Sequence, residues 1–330
     1  MKLLELLTQT NGVSGNEEAV CEIIKTEIKD YVDEIKTDSL GNLIAHKIGS
    51  GKKLMIAAHA DEIGVIVTYV EENGFLRFAP VGGVNMYSAI NTRVVFANGT
   101  VGVVSYEGTI DVKKDLNFQK MYIDICADNR EEAIKHVNVG DVACFSGSFI
   151  ANGNMVTSKA LDNRVGVYTL INAIKMCDSC DFDMYYVFST QEELGLRGAK
   201  TAAFAINPDY SLAIDVTATG DTPNSPASSV KLGGGACIKI MDKSIVCHPK
   251  IRRALEKCAY ANDIKVQNEV LTFGGTDAGS IHMTGDGVIT GGISIPLRYI
   301  HSVSETAYKS DIDEVTKLIA EFIQKNYIEE

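Results

Sequence analysis

The sequence predicts an α/β fold that is interrupted by a compact β-rich block. The first 64 residues show helix patterns followed by strand patterns, and helix and strand patterns alternate beyond residue 155, which is typical of a sheet covered by helices. Between residues 65 and 150, short strand-like runs separated by NG and GG turn signals replace this mixture, which predicts a small β-barrel or sandwich. At 330 residues the chain is long enough for one domain to be interrupted by another.

The composition is that of an ordinary globular chain, with 45% apolar and 22% charged residues. A net charge of −12 argues against a general nucleic-acid binder, because such affinity depends on clustered Lys and Arg. No apolar run approaches the roughly 20 residues that span a bilayer, and the opening stretch MKLLELLTQTNG predicts an amphipathic helix without signal-peptide features. We therefore expect a cytoplasmic protein with no nucleic-acid or membrane partner.

Eight cysteines are scattered through the chain, which favours reduced thiols in a reducing compartment. Cys177 and Cys180 form a CxxC pair in the stretch KMCDSCDF. A structural zinc site would need a second such pair, and the sequence has none. We therefore interpret the pair as two thiols in a polar loop.

The elements ahead of the β-rich block are predicted as helices followed by strands. Residues 17–30 carry apolar side chains at helical spacing, and Ser14 together with Glu17 fits a capping box at the start of this helix. Residues 34–47 predict two short strands around a Gly-Asn turn. Residues 52–64, KKLMIAAHADEIG, form an apolar run that ends in a polar cluster, as expected of a buried strand that reaches a site.

The elements beyond the block alternate between helix and strand. Inside the block, a helical turn is predicted only at residues 129–135. Beyond it, helical patterns cover residues 161–177, 248–263 and 311–327. Strand patterns cover residues 183–190, 210–217, 265–273 and 287–295. This alternation predicts a helix-covered sheet into which the β-rich block is inserted.

Acidic and histidine side chains are found in five separated segments of the α/β part. They are His59 and Asp61, Asp162, Glu192 and Glu193, Asp215, and His301. Most of them come where an apolar strand ends, and ligands of open α/β sheets bind outside the carboxyl ends of the strands. Imidazole and carboxylate groups are the ligand types of zinc, cobalt and manganese. We therefore expect a metal site at one edge of the sheet.

The charge of this set favours two metal ions over one. Asp162, Glu193 and Asp215 would bring three negative charges to one dry site, and Glu192 would add a fourth. Without a counter-charge these carboxylates would repel one another, and some would take up protons. Two divalent cations largely neutralise the cluster, whereas one would leave an excess of negative charge.

Each of these signals is ambiguous when it is taken alone. His59 and Asp61 lie on the same face of a strand, yet an HxD pair also occurs as a histidine beside a surface acid. Asp162 also fits a helix cap, and adjacent glutamates such as Glu192 and Glu193 also fit a solvated face. The prediction of a metal site therefore depends on the coincidence of the whole set.

Six stretches of the sequence resemble the motifs of the M42 metalloaminopeptidases, in the expected order: HADEIG, ALDNRVG, STQEELGLRGA, AIDVT, GGTDAG and IPLRYIHS. This family consists of cytoplasmic di-metal enzymes and includes tetrahedral aminopeptidases and proteins once labelled endoglucanases. The resemblance implies a zinc-peptidase-like mixed central sheet flanked by helices, formed by residues 1–64 and 153–330. It also implies that residues 65–152 are an inserted small β-barrel, which serves for dimerisation and for building dodecamers.

The resemblance also implies a role for each residue of the set. One divalent metal would be held by His59 and Asp215 and the other by Glu193 and His301, with Asp162 bridging the two. Glu192 would be the general base toward the water between the metals, and Asp61 would orient His59. The implied metals are zinc or cobalt, with manganese as a further choice, and a cis peptide is implied at Asp162–Asn163. The implied activity is removal of N-terminal residues from short peptides.

Two segments near the predicted site are open to more than one interpretation. Thr276, Asp277 and Gly279 lie in a Gly-rich stretch that either lines the substrate pocket or forms a helix cap with flexible glycines. Arg298 precedes His301 and is open to a substrate contact or a subunit contact.

Two other functions compete with peptide hydrolysis. Glycoside hydrolysis needs only two carboxylates, but the chain has no tryptophan and only 7% aromatic residues, so platforms for sugar stacking are scarce. A non-catalytic metal-binding scaffold would use the same acids. The additional acid Glu192 argues against a scaffold, since a structural metal site is normally closed by its ligands.

Overall fold

The computed structural model describes residues 1–177, 179–226 and 228–329. Its first elements are two helices and three strands: α1 (Lys2–Gln9), α2 (Glu18–Ile28), β1 (Glu34–Thr37), β2 (Leu43–Lys47) and β3 (Lys53–His59). These elements agree with the helices and strands predicted ahead of the β-rich block. Among the described residues, no helix combines the length and the apolarity that crossing a membrane requires.

The β-rich block forms a closed six-stranded barrel, not a sandwich. Its strands are β4 (Gly64–Val70), β5 (Leu76–Val81), β6 (Arg93–Phe96), β7 (Val101–Tyr106), β8 (Met121–Asp124) and β9 (Val142–Phe145). The barrel order is β4-β5-β8-β7-β6-β9. Short helical turns join these strands: α3 (Met86–Ala89), α4 (Val112–Asp115), a 3₁₀ turn (Phe118–Lys120) and α5 (Arg130–Ala133). The barrel has an apolar core of its own, which includes Val65, Phe78, Val94, Val104 and Ile123.

The remaining chain alternates between helices and strands. Its strands are β10 (Ile150–Asn152), β11 (Met155–Ser158), β12 (Asp183–Ser189), β13 (Tyr210–Ala218), β14 (Ala236–Met241), β15 (Val266–Val270), β16 (Ile289–Leu297) and β17 (Glu305–Tyr308). Its helices are α6 (Leu161–Met176), α7 (Arg197–Ile206), α8 (Pro249–Ala261), α9 (Ala278–Ile281) and α10 (Lys309–Gln324). Each helix and strand predicted beyond the block is present. The cysteines of the described chain form no disulfide, and Cys177 is buried at the end of α6.

The central sheet has eight strands in the order β1-β2-β12-β3-β13-β16-β14-β15. Its four middle strands, β12, β3, β13 and β16, run parallel to one another. The sheet is mixed because β2 is antiparallel to β12 and β14 is antiparallel to β16. A separate three-stranded sheet is formed by β10, β11 and β17.

Helices cover both faces of the central sheet, which explains why β3 is apolar from Leu54 to Ala58. Leu54, Ile56 and Ala58 of β3 pack into the large core that also contains α1, α2, α6, α8 and α10. Met55 and Ala57, on the opposite face, pack against α7 and α9. Because successive side chains of a strand point to opposite faces, a strand buried on both faces is apolar at every position.

The predicted capping box at the start of α2 is wrong. Helix α2 begins at Glu18, and no side chain caps its first turn. The Ser14 hydroxyl instead donates to Asp61 Oδ2 at 2.6 Å, and Glu17 Oε1 accepts from the backbone N–H groups of Gly15 and Gln191. Both side chains therefore connect the N-terminal segment to the predicted site through these hydrogen bonds.

Candidate active site

The parallel strands bring the predicted site residues to one edge of the central sheet. His59 is the last residue of β3, and Asp215 lies in the carboxyl-terminal half of the neighbouring strand β13. Glu192 and Glu193 follow the end of β12, and His301 follows the end of β16. Four adjacent strands thus deliver side chains to the crevice outside their carboxyl ends, where α/β sheets bind ligands.

Asp162 lies between the two histidines at the start of α6. Its Oδ1 is 3.2 Å from His59 Nε2, and its Oδ2 is 3.3 Å from His301 Nε2. The peptide bond between Asp162 and Asn163 is cis, as the resemblance implies. Each oxygen of one carboxylate therefore faces a different imidazole, which is the arrangement that a bridging ligand requires.

The other two acids divide between the histidines. Asp215 Oδ1 is 3.6 Å from His59 Nε2, and Glu193 Oε1 is 3.2 Å from His301 Nε2. Two ligands at about 2.0–2.1 Å from a tetrahedral zinc ion are about 3.3 Å apart, so these separations fit shared cations. Asp162 Oδ1 is buried and accepts no hydrogen bond of normal geometry within the described chain. The donor set and this unsatisfied oxygen both fit divalent metal ions.

The site is buried and strongly acidic. Burial opposes the charged form of His301, yet Asp162 and Glu193 raise the pKa of its imidazole to about 12. The pKa of His59 is likewise raised well above its ordinary value against the effect of burial, with Glu192 as the largest favourable cause. These directions show that the cluster of carboxylates favours positive charge at its centre.

Glu192 lies beside this cluster, on the side of His59. Its Oε2 is 3.9 Å from His59 Nε2, and its side chain borders the open cleft. Burial raises the pKa of Glu192 well above its ordinary value; His59 opposes the rise, and the charges of Asp215 and Asp277 add to it. A carboxylate in this environment takes up a proton more readily than an exposed one does.

Asp61 contacts more of the site than the sequence predicted. Its Oδ1 is 3.4 Å from His59 Nδ1, which fits the predicted orienting role. The same carboxylate also accepts the backbone N–H groups of Glu192 at 3.0 Å and Glu193 at 3.2 Å. Asp61 is fully buried. One side chain therefore holds the imidazole of β3 and the backbone of both adjacent acids.

Two residues that contact the site were missed by sequence reasoning. The Gly83 carbonyl, in the loop that follows β5 of the barrel, is 2.9 Å from His301 Nδ1. The Glu305 carboxylate accepts the backbone N–H groups of Asp162 and His301. Neither residue belongs to a recognisable motif, and the only signal in the sequence is that Glu305 follows His301 by four positions.

A cleft of about 750 Å³ opens above the site. Its walls combine the candidate site residues with apolar side chains, among them Leu196, Leu271, Phe273 and Leu297. The cleft is therefore large enough for the first residues of a peptide, and most of its surface away from the acids is apolar.

The two segments that the sequence left open lie at or under this cleft. Thr276 borders the cleft, whereas Asp277 is buried beneath it and accepts a hydrogen bond from Ser189. Gly279 lies inside the short helix α9. Arg298 borders the cleft, and Asp221 holds its guanidinium through two hydrogen bonds of 2.9 and 2.8 Å.

Comparisons with known proteins agree with this fold and site. The sequence model of the M42 glutamyl aminopeptidase family matches residues 41–318. The chain is 56% identical over 321 residues to a protein from Acetivibrio thermocellus, and the alignment covers 97% of each. It is similar to the solved structure of an aminopeptidase from Desulfurococcus kamchatkensis, with a TM-score of 0.95, 37% identity, and coverage of 99% of this chain and 95% of that one.

A second similar structure belongs to a peptidase that forms large assemblies. The TET1 peptidase of Pyrococcus horikoshii, described as assembling into a tetrahedron or a large octahedral shell, has a TM-score of 0.87 at 34% identity. The similarity covers 98% of this chain and 99% of that one. Because the family match spans most of the sequence and the same fold surrounds the site, the chain belongs to the M42 family of aminopeptidases, enzymes that hydrolyse peptide bonds.

Proposed function

We propose that this aminopeptidase removes N-terminal residues from short peptides at a site that holds two divalent metal ions, with Glu192 as the general base. The observation that carries the proposal is the position of Asp162, whose two oxygens face His59 and His301 separately. A single-metal site has no need of a carboxylate shared between two histidine groups. The number of carboxylates also suits two cations, because one would leave the cluster with excess negative charge.

Each metal ion would be held by residues at or just beyond the carboxyl-terminal ends of two strands, together with Asp162. His59 and Asp215 would hold one ion, Glu193 and His301 the other, and Asp162 both. Zinc and cobalt suit this mixture of imidazole and carboxylate ligands best, with manganese as a further choice. When bound, such ions polarise a peptide carbonyl and lower the pKa of water toward about 7.

Glu192 would move the proton that hydrolysis requires. Its carboxylate borders the cleft beside His59 and takes a proton from the attacking water. As the water oxygen bonds to the carbonyl carbon and the carbon–nitrogen bond breaks, Glu192 delivers that proton to the leaving amine. General acid–base catalysis of this kind contributes about 10²–10⁴-fold to a rate. The hydrogen bond from the Glu192 backbone to Asp61 holds the residue in place for both transfers.

The metal-rich site would also suit a substrate with a free α-amine. A free amine offers a lone pair to a metal ion, whereas a blocked N-terminus does not. The cleft would accept the first side chain against its apolar wall. This combination favours exopeptidase over endopeptidase cleavage.

We further propose that the barrel, with the whole inserted segment of residues 65–152, is a dimerisation domain. The support is the assembly described for the TET1 peptidase, which shares this fold. Dimers would then build a larger homo-oligomer such as a dodecamer. Light scattering on the purified protein distinguishes a monomer, a dimer and a dodecamer by mass.

The activity is tested with a panel of aminoacyl-anilides and their N-acetylated counterparts. The protein is stripped of metal and reconstituted with zinc, cobalt or manganese. We expect hydrolysis of the free-amine substrates that depends on added metal and disappears with a chelator. Failure to cleave any substrate with any of the three metals would leave a metal-binding scaffold as the better account. Cellulose hydrolysis that survives the chelator would favour the glycoside hydrolase.

A further inference from the structure

Glu305 is a buried acid that directly contacts the backbone of two site residues. It is the first residue of β17, and only 2% of its surface is exposed. It does not border the main cleft, so it is not placed to touch a substrate there. Its side chain instead borders a small cavity of about 20 Å³ behind the site, together with Asp162, Glu193 and His301.

Each oxygen of Glu305 accepts a hydrogen bond from a different site segment. Oε2 accepts the backbone N–H of Asp162 at 2.9 Å, and Oε1 accepts the backbone N–H of His301 at 2.8 Å. The two residues joined in this way are the two whose side chains face each other at 3.3 Å.

The backbone at His301 needs such support. His301 has a φ of +61° and Tyr299 a φ of +62°, in the left-handed region that residues with side chains rarely adopt. Asp162 has a φ of −74° and a ψ of 107°, so its backbone is extended although it lies in the first turn of α6. Glu305 supplies a hydrogen bond to His301 and another to Asp162.

The position of β17 explains how one residue reaches both segments. Glu305 pairs with Ser158, the last residue of β11, and Asp162 follows that strand by four residues. On its other side, Thr306 forms an isolated bridge with Arg298, which closes the loop that carries His301. The Asp162 segment thus leaves the three-stranded sheet, and the His301 loop enters it, at the point where Glu305 is anchored.

We propose that Glu305 is a positioning residue that holds Asp162 and His301 at the separation that metal binding requires. This inference rests on the proposed di-metal function. Glu305 acts through the two backbone N–H groups and contributes no ligand atom. Loss of its second acceptor oxygen should therefore weaken metal binding and alter the coordination geometry while the fold persists.

The test replaces Glu305 with glutamine, which keeps the size of the side chain but directs an amide NH₂ at one of the two N–H donors. Metal-stripped wild-type and E305Q proteins are titrated with Co²⁺ and with Zn²⁺, and affinity is measured by calorimetry. The visible absorption spectrum of the Co²⁺ form reports coordination geometry, which a purely structural role would not change. We expect affinity for at least one ion to fall about 10–100-fold and the Co²⁺ spectrum to change.

Asp311 provides a matched control. It is a buried carboxylate that accepts two backbone N–H groups, from Gly233 at 2.7 Å and Gly235 at 2.8 Å, in the loop ahead of β14. We expect the D311N variant to keep the wild-type affinity and Co²⁺ spectrum. Should E305Q fail to fold, E305D keeps the charge but shortens the reach, and it should show the same spectral change.

The outcomes separate this inference from the function on which it rests. Wild-type affinity and an unchanged Co²⁺ spectrum in both Glu305 variants would overturn the positioning role and leave the di-metal function intact. A wild-type protein that binds no pair of ions would overturn the proposed function, and the positioning role with it.

Discussion

The Asp61 carboxylate accepts the backbone N–H of Glu192 at 3.0 Å, and the same side chain accepts the N–H of Glu193 at 3.2 Å. This relationship explains why two adjacent glutamates can serve one cavity. On a regular strand they would point to opposite faces, but β12 ends at Ser189 and Gln191 turns the chain with a φ of +53°. Asp61 then holds the turned backbone beside His59.

Replacing Asp61 with asparagine should impair the site without emptying it of ligands. The amide keeps one acceptor oxygen and places an NH₂ group against one of the two N–H donors, so Glu192 or Glu193 must shift. We expect kcat or metal affinity to fall about 10–100-fold. Steady-state kinetics at saturating zinc, together with calorimetric titration of the metal-stripped protein, measure the two effects. Unchanged values for both would show that Asp61 does not position these acids.

Replacing Gly83 with alanine should disturb the proposed metal site that contains His301 and Glu193. An added Cβ at Gly83 would lie 2.7 Å from His301 Cε1 and Nδ1, closer than a carbon atom can approach an imidazole. We expect elemental analysis to find a reduced metal content, falling from about two ions per chain toward about one.

Gly108 offers the control for this substitution. It also lies in the inserted segment, and a Cβ added there meets no heavy atom within 4 Å. The G108A variant should keep the full metal content. Equal metal contents in the G83A and G108A proteins would contradict the role of the barrel loop in orienting His301.

Replacing Arg164 with methionine should destabilise the whole protein. Its guanidinium is fully buried and donates to the carbonyls of Leu7, Thr10 and Ala60, and Nη2 lies 3.3 Å from Glu62 Oε1. The substitution leaves these acceptors without their donor in the interior. We expect the free energy of unfolding to fall by about 3–5 kcal/mol, measured by urea denaturation.

Arg252 provides the comparison on the surface. Its side chain is 37% exposed and pairs with Glu256 one helical turn away at 3.5 Å. An exposed pair of this kind contributes about 0.3–0.5 kcal/mol, so the R252M variant should unfold nearly as the wild type does. Equal losses in the two variants would show that the buried network does not anchor the N-terminal segment.

We expect deprotonation of Glu17 to lower the free energy of unfolding as the pH rises. Burial raises the pKa of Glu17 from its ordinary value of 4.5 to about 7; N–H groups of Gly15 and Gln191 oppose the rise, and the charge of Asp61 adds to it. The native state therefore holds this proton more tightly than the unfolded state does. The stabilisation that it contributes is full below about pH 4.5 and is lost as the pH rises through about 7.

The E17Q variant isolates this contribution, since its amide keeps an acceptor oxygen and has no proton to lose in this range. We expect the variant to gain stability relative to the wild type between about pH 4.5 and about pH 8. Urea denaturation of both proteins across this range measures the difference. Parallel stability curves would mean that Glu17 does not titrate as its burial implies.

The sheet and the segments that meet at the candidate site could be predicted from the sequence because both leave local patterns. The strand β3 is apolar from Leu54 to Ala58 because both of its faces are buried there, and His59 at its end marks where the crevice begins. The pattern of strands and turns predicts the inserted block only as far as a barrel or a sandwich, and the choice of a barrel comes from the family resemblance. Closure depends on the pairing of β4 with β9, strands that are far apart in the chain.

The positioning groups could not be predicted for a related reason. Glu305 contacts Asp162 across 143 positions, and the Gly83 carbonyl contacts His301 across 218. Such contacts join a side chain to a distant backbone group, so no spacing or periodicity records them. The capping box at Ser14 and Glu17 shows the reverse case, in which a local pattern was overridden by long-range hydrogen bonds.

The central claim is that two metal ions share Asp162 while Glu192 stays uncoordinated and transfers the proton. Replacing Glu192 with glutamine tests this claim most directly, because the substitution removes the base and keeps every proposed ligand. We expect elemental analysis of the zinc-reconstituted E192Q protein to find about two ions per chain, with hydrolysis of aminoacyl-anilides reduced about 10²–10⁴-fold or more. Near-normal turnover in this variant, or the absence of a pair of ions from active wild-type protein, would contradict the account.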